Sequence, residues 1–195
     1  MVSKLLLAVQ ESCLAADARD GEAFRELAEC YYDVRAGIGF NKAPEVYGAF
    51  PTDPYSHTPG YAGAKQPGMT GQVKEEILTR LGELGVSVRG GEVSFSPVLL
   101  RRSEFLDNPE TFDYYDVAGR VQTLELEEQT LVFTYCQVPI VYRMSEDRKL
   151  TLHLSDGTIR EQDGTVLDEA SSREIFRRSG EIVRVEVSLT PGLEM

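Results

Sequence analysis

The run Leu84-Gly85-Val86-Ser87-Val88-Arg89-Gly90-Gly91-Glu92-Val93-Ser94-Phe95-Ser96-Pro97 is where the chain changes period. Before it, apolar residues recur every three or four positions; from Val86 onward they alternate with polar ones, as in strands with one buried face. Gly85 closes a helix, and Arg89-Gly90-Gly91-Glu92 joins two alternating runs as a hairpin, since paired glycines accept the positive φ of a tight turn. Helices come first and strands after, so the expected class is α+β, divided into a helical region 1–85 and a β region 86–195.

Working forward, Val98–Leu100, Arg120–Leu126, Thr130–Cys136, Val138–Arg143, Lys149–Leu154, Thr158–Glu161 and Glu181–Leu189 all read as strands, with Ser155-Asp156-Gly157 and Gln162-Asp163-Gly164 as turns. Ser171–Arg178 reads as one or two helical turns. Seven or more short strands with such turns predict an antiparallel β-sandwich or jelly roll. Pro139 belongs at an edge or a bulge, because it has no N–H for a ladder.

Working backward, Thr70 caps a helix whose apolar face is Val73, Ile77, Leu81 and Leu84. Residues 3–17 form a helix with Leu5, Leu6, Val9 and Cys13 on one face. A second, 21–35, has the stripe Phe24, Leu27, Ala28 and Tyr31, and the two make an αα-hairpin. Between the second and third helices, residues 36–69 are rich in Gly and Pro yet keep Phe40, Tyr47, Phe50, Tyr55 and Tyr61. Aromatics drive collapse, so this long loop is expected to be ordered, and long ordered loops usually carry function.

The 195 residues carry 20 Lys+Arg against 32 Asp+Glu, a formal net charge of −12. Such a surface repels phosphate backbones and anionic lipid, so nucleic acid and membranes are not expected partners. The run Leu5–Val9 is broken by Gln10 and Glu11 before it reaches signal-peptide or membrane-spanning form. Cys13, Cys30 and Cys136 are odd in number, far apart and without metal-ligand spacing. They argue against a disulfide framework or a zinc site and for a reducing, cytoplasmic setting, with no metal or cofactor expected. The chain has no Trp, so Tyr and Phe must supply any aromatic platform for a sugar.

The densest chemistry lies in Phe50-Pro51-Thr52-Asp53-Pro54-Tyr55-Ser56-His57. His57 can bind an anion or move a proton near neutral pH, or merely hold a turn. Asp53 before Pro54 is equally a turn initiator. Thr70, Gly71 and Gln72 open the third helix, where free backbone N–H groups suit a phosphate or a sugar hydroxyl, although capping alone also accounts for Thr70. Glu75 and Glu76 follow within the first turns, where the helix dipole favours acids. Neighbours on one helix cannot straddle a glycosidic bond, so they are not an acid/base pair. His153 reads as a satisfied strand residue, and Arg101-Arg102 and Arg177-Arg178 as solvated pairs.

Taken together, Phe50–Tyr55, Gly68-Met69-Thr70-Gly71-Gln72-Val73 and the run Leu84–Pro97 resemble the C-terminal end of six-hairpin glycosidases, in particular cellobiose-phosphorylase-like members. In those proteins a Thr-Gly-Ser step opens the last barrel helix and contacts phosphate; Thr70 and Gly71 match it, and Gln72 stands in place of the serine. The resemblance implies the end of an (α/α)6 barrel followed by a β-sandwich. It implies a glycoside hydrolase or phosphorylase, with carbohydrate and phosphate as ligands. Asp53, Tyr55, His57, Thr70, Gly71 and Gln72 would then form one wall of a sugar site. Twelve barrel helices of ordinary length do not fit before residue 86, so the chain is expected to be the tail of a longer enzyme or a relative without its catalytic core. It would be inactive alone, with the general acid elsewhere. The alternative is a non-catalytic β-sandwich module that binds carbohydrate or protein. The helices' apolar faces also suit a partner chain or self-association.

Overall fold

The computed structural model describes residues 2–17, 21–37 and 72–190. They comprise four helices and nine strands, the α+β order expected from the change of period. The chain divides into two compact units, Met1–Gly82 and Glu83–Met195.

In the first unit, α1 (Val2–Asp17) and α2 (Gly21–Ala36) pack as a pair, followed later by α3 (Gln72–Glu83). Leu6, Gln10 and Cys13 are the buried positions of α1, and Phe24, Ala28 and Tyr31 those of α2. Both sets step by four and three residues, which keeps one stripe facing a neighbouring helix. Burial pushes the Cys13 thiol up to about 11, so it stays protonated and inert.

Of the expected apolar face, Leu84 is buried and Leu81 half-buried, but the middle of α3 turns a different face inward. Ile77 and Leu78 are exposed, whereas Glu75 and Thr79 are buried. The cause is the side chain of Gln10, whose Nε2 donates to the Thr79 carbonyl at 2.7 Å and to Tyr31 Oη at 3.3 Å. Gly82 leaves room for it, since a Cβ there would lie 2.3 Å from Gln10 Oε1. A polar key therefore sets the rotation of the helix, against its apolar periodicity. Glu75 accordingly lies inside, not on a solvated first turn.

In the second unit, β1 (Val86–Arg89) and β2 (Glu92–Phe95) form the expected hairpin, with Gly90 and Gly91 at φ 60° and 91°. Gly85, at φ 68°, is pressed against the following chain: Ser96 N donates to its carbonyl at 2.9 Å, and a Cβ would lie 2.1 Å from Ser96 C. Only glycine fits such an approach. Leu99 and Leu100 are fully buried, but Val98–Leu100 is a turn and not a strand, and a short 3₁₀ turn follows at Arg102–Glu104.

Next comes the hairpin of β3 (Glu110–Tyr115) and β4 (Val121–Leu126). The remaining strands are β5 (Thr130–Tyr135), β6 (Val138–Met144), β7 (Lys149–Leu154), β8 (Ile159–Asp163) and β9 (Ile182–Leu189), with helix α4 (Glu169–Arg177) before the last. They form one five-stranded sheet in the order β5-β6-β9-β7-β8. Thus the strands make this sheet and two hairpins rather than two large facing sheets, and the pairing of β6 with β9 is parallel. Strand β9 slots between β6 and β7, which are themselves joined by a short turn. That turn is fastened to the end of the inserted strand: Ser145 N donates to the Leu189 carbonyl at 2.9 Å and Thr190 Oγ1 to the Ser145 carbonyl at 3.0 Å.

Pro139 sits in the interior strand β6 rather than at an edge. The ladder with β9 starts one residue later, at Ile140, so β9 makes no demand on the missing N–H.

One face of the sheet is the core. Ile140, Tyr142, Leu150, Leu152, Val185 and Val187 are fully buried there with Phe95 of β2, Ile175 of α4 and Leu167 from the segment just before that helix. Tyr142 meets Phe133 and Phe95 edge-on, and its hydroxyl donates to the Leu84 carbonyl. Asp168 caps α4 through the Ser171 N–H at 2.7 Å, and Val93 N donates to Ser172 Oγ at 3.0 Å, which locks β2 to the helix.

Candidate functional site

Asp53, Tyr55, His57, Thr70 and Gly71 lie outside the described residues; Gln72 is the first residue of α3, and its side chain is outside them too. The described chemistry converges elsewhere, on the outer face of the five-stranded sheet.

Alternation decides which residues reach that face. The core-facing Leu152, Val185 and Val187 leave Thr151 and His153 of β7 and Arg184 and Glu186 of β9 pointing the other way. Register brings them together, with His153 opposite Arg184 and Thr151 opposite Glu186, while Val141 flanks Glu186 from β6. Glu186 is the hub. Its carboxylate accepts from Arg143 Nε at 2.8 Å, and Arg184 Nη2 and His153 Nε2 lie 2.9 and 3.0 Å away. Burial alone would raise its pKa, but the hydrogen bond and charge of Arg143, then the charges of Arg184 and His153, hold it below the ordinary value. Glu186 is thus an ionised, fully engaged carboxylate, unsuited to delivering a proton. Arg143 also reaches Glu127 at 2.6 Å. Arg184 Nη2 also lies 3.2 Å from His153 Nδ1 and 3.0 Å from its Nε2, so the ring is held between the guanidinium and the Glu186 carboxylate. His153 is a satisfied strand residue, as read from its alternating run.

The β3–β4 hairpin supplies the opposite wall. Phe112 and Tyr114, two apart on β3, share a face and stack with centroids 6.0 Å apart; Leu124 and Gln122 stand across from them on β4. Their turn is built on Asp116. Its Oδ1 accepts from the N–H groups of Ala118 and Arg120, both at 2.9 Å, and its Oδ2 from Arg120 Nε and Gln122 Nε2, both at 3.0 Å. The Arg120 backbone bond leads the effects that hold this carboxyl down at about 2, against the opposing pull of desolvation. Gln137 Nε2 ties the turn to the sheet by donating to the Asp116 carbonyl at 3.0 Å.

A cleft of about 650 Å³ lies between these walls, lined by Tyr114, Asp116, Gln122, Gln137, His153 and Arg184 among others. That is within the size range of small-molecule sites. Tyr114 titrates above the usual range, chiefly from burial and next from Asp116, with Arg184 opposing; its phenol is neutral. Asp116 is the acid among the described lining residues, and with both oxygens occupied it anchors the turn. A smaller hollow of about 360 Å³ is lined by Arg102, Phe105, Asp107, Glu128 and Gln129 among others.

Sequence reading missed this site because its residues come from four strands distant in sequence. A local signal existed: Arg184 and Glu186 are charged residues at alternate positions of an otherwise apolar run. Among the described residues no three His, Cys, Asp or Glu side chains group to hold a metal, and no helix is long and apolar enough to cross a membrane. No protein-family model matches the chain, and no curated protein matches it significantly.

Proposed function

We propose that the chain is the C-terminal portion of a carbohydrate-active protein and that its β unit is a non-catalytic module that binds sugar in this cleft. The observation that carries the reading is the cleft itself. A neutral aromatic face, Tyr114, stands beside the planar polar groups of Gln122, Gln137 and Arg184, the combination that grips a ring apolar on its faces and hydroxylated at its rim. The resemblance of Phe50–Tyr55, Gly68–Val73 and Leu84–Pro97 to the tail of six-hairpin glycosidases supports carbohydrate as the ligand class.

Binding is favoured over hydrolysis on chemical grounds. Cleaving a glycosidic bond takes two carboxyl groups across the sugar, one of them protonated. Glu186 is ionised and committed to its cations, and Asp116 is held at about 2 by its turn. Neither can serve as the acid. The test is calorimetry of the whole chain with a panel of mono- and oligosaccharides, alongside turnover assays with and without phosphate. Binding that weakens at least tenfold in Tyr114→Ala, with no turnover, is the expected result. Turnover by the chain alone, or sugar binding indifferent to Tyr114, would overturn it.

A further inference from the structure

The walls of the cleft are unequal in what they offer a ligand. On the acceptor side, both oxygens of Asp116 are filled by Ala118, Arg120 and Gln122, which leaves little for a sugar hydroxyl to donate to. On the donor side, Arg184 spends Nη2 on Glu186 and His153 and buries Nε without a hydrogen bond, while Nη1 has no partner among the described residues. Glu186 divides its charge between Arg184 and Arg143, and it lies behind Arg184 rather than in the lining. The further carboxylate on Arg143, that of Glu127, is three-quarters exposed and screened by solvent. Arg120, a second lining residue, clamps Asp116 through Nε and Nη2 and keeps its remaining Nη1 donors.

A cleft whose one carboxylate is filled and whose two arginines each keep their Nη1 donors suits a ligand that brings its own anionic acceptor. Guanidinium N–H groups meet carboxylate through charge-assisted hydrogen bonds. We infer that the cleft takes an acidic saccharide, a sugar ring bearing a carboxylate, with the ring on Tyr114 and the carboxylate on Arg184. This rests on the reading of the cleft as a sugar site. It goes further in naming the charge of the ligand, and it runs opposite to the −12 balance of the whole chain, which would otherwise repel acidic glycans.

The experiment compares, on the full chain, an oligomer of a uronic acid, the neutral oligomer of matched linkage, and inorganic phosphate. The uronic oligomer is expected to bind about tenfold or more tighter than the neutral one, the worth of one charge-assisted pair, and to weaken as salt rises. Arg184→Gln should abolish the preference, weakening the uronic oligomer about tenfold more than the neutral one. Arg184 also holds Glu186, so the exposed Arg120→Gln serves as a second variant that spares the sheet and is expected to cut the preference about threefold. Equal, salt-independent affinity for both oligomers would overturn the acidic ligand and leave the sugar site standing. Binding of neither oligomer would overturn both. Phosphate displacing the uronic oligomer at equal concentration would show an unspecific anion cradle and also overturn the inference.

Discussion

In the helical unit the amide of Gln10 lies inside, its nitrogen on the Thr79 carbonyl and the Tyr31 hydroxyl, so a polar side chain replaces apolar packing between helices. In the β unit the polar hub, Glu186, stands on the outer face of a sheet whose inner face carries the apolar core. The difference teaches where each unit keeps its specificity. The helical trio spends its polar contacts on setting the rotation of α3, whereas the sheet holds together by its core and leaves its polar cluster free to line a cleft. Substitutions in the sheet core should therefore destroy folding, and substitutions of the polar residues should change geometry or binding first.

Leu152→Ala tests this most severely. Leu152 is fully buried on the central part of the sheet, and its loss should cost about 2–5 kcal/mol. Urea unfolding followed through the strands should shift, while a helical signal from the first unit should not. Joint loss of both signals would show that the units do not melt separately.

The glycines flanking the boundary between the units sharpen the contrast. At Gly85 an added methyl would strike the backbone of Ser96, at a φ of 68° that side chains rarely adopt. Gly85→Ala should cost more than about 2 kcal/mol, since strain in the left-handed region adds to the clash. At Gly82 the obstacle is the end of the Gln10 side chain, which can swing away. Gly82→Ala should cost about 1 kcal/mol, the worth of the hydrogen bonds that Gln10 then gives up. Equal costs for the two would mean that the Gln10 amide is as rigid as backbone.

Much of this architecture was legible from local periodicity. The limits of α1, α2 and six strands of the β unit fall within a residue or two of those read from alternation and caps. What was not legible is set by contacts between distant residues. Strand β9 has the same alternation whether it lies at an edge or between β6 and β7, so its central place and parallel pairing leave no mark in its own sequence. Glu110–Tyr115 passed unread as a strand although Phe112 and Tyr114 alternate with Thr111 and Asp113, because three of its six residues are polar or charged and none of the six is buried. Helix α3 misled in its middle: its apolar periodicity buries Leu84 and half-buries Leu81 but leaves Ile77 exposed, where Gln10 of another helix bonds the Thr79 carbonyl. The candidate cleft was invisible for the same reason as the sheet order, since Tyr114, Gln137, His153 and Arg184 meet only after the strands pair.

Glu186→Gln separates the polar cluster from the core. It keeps the shape and an acceptor oxygen but removes the charge that Arg143 and Arg184 share, which should cost about 1–2 kcal/mol at neutral pH. The folded carboxyl titrates below its unfolded value of 4.5, so its contribution is complete above that value and is lost as pH falls below it. Unfolding measured at pH 7 and again at pH 3 should show the gap between wild type and variant closing. A gap that persists unchanged would mean that the carboxylate acts through shape alone.

The smallest effect is expected at Asp116, and it bears on binding more than on stability. Its carboxyl is held at about 2 from an ordinary 3.8, first by the Arg120 N–H, with Gln122, the Arg120 side chain and Ala118 adding to it against desolvation. A depressed carboxyl contributes fully above its unfolded value and loses that contribution as pH falls through the folded one, so the window runs from about 3.8 down to about 2. Asn in this place still accepts from both backbone N–H groups, so Asp116→Asn should leave the neutral-pH unfolding midpoint nearly unmoved, as exposed pairs contribute little. It should release Arg120, however, and with it one border of the cleft. Carboxyl NMR titration of the wild type should find a midpoint near 2. A midpoint near 3.8 would show that the turn is not clamped, and that the cleft's saturated acceptor is open to ligand after all.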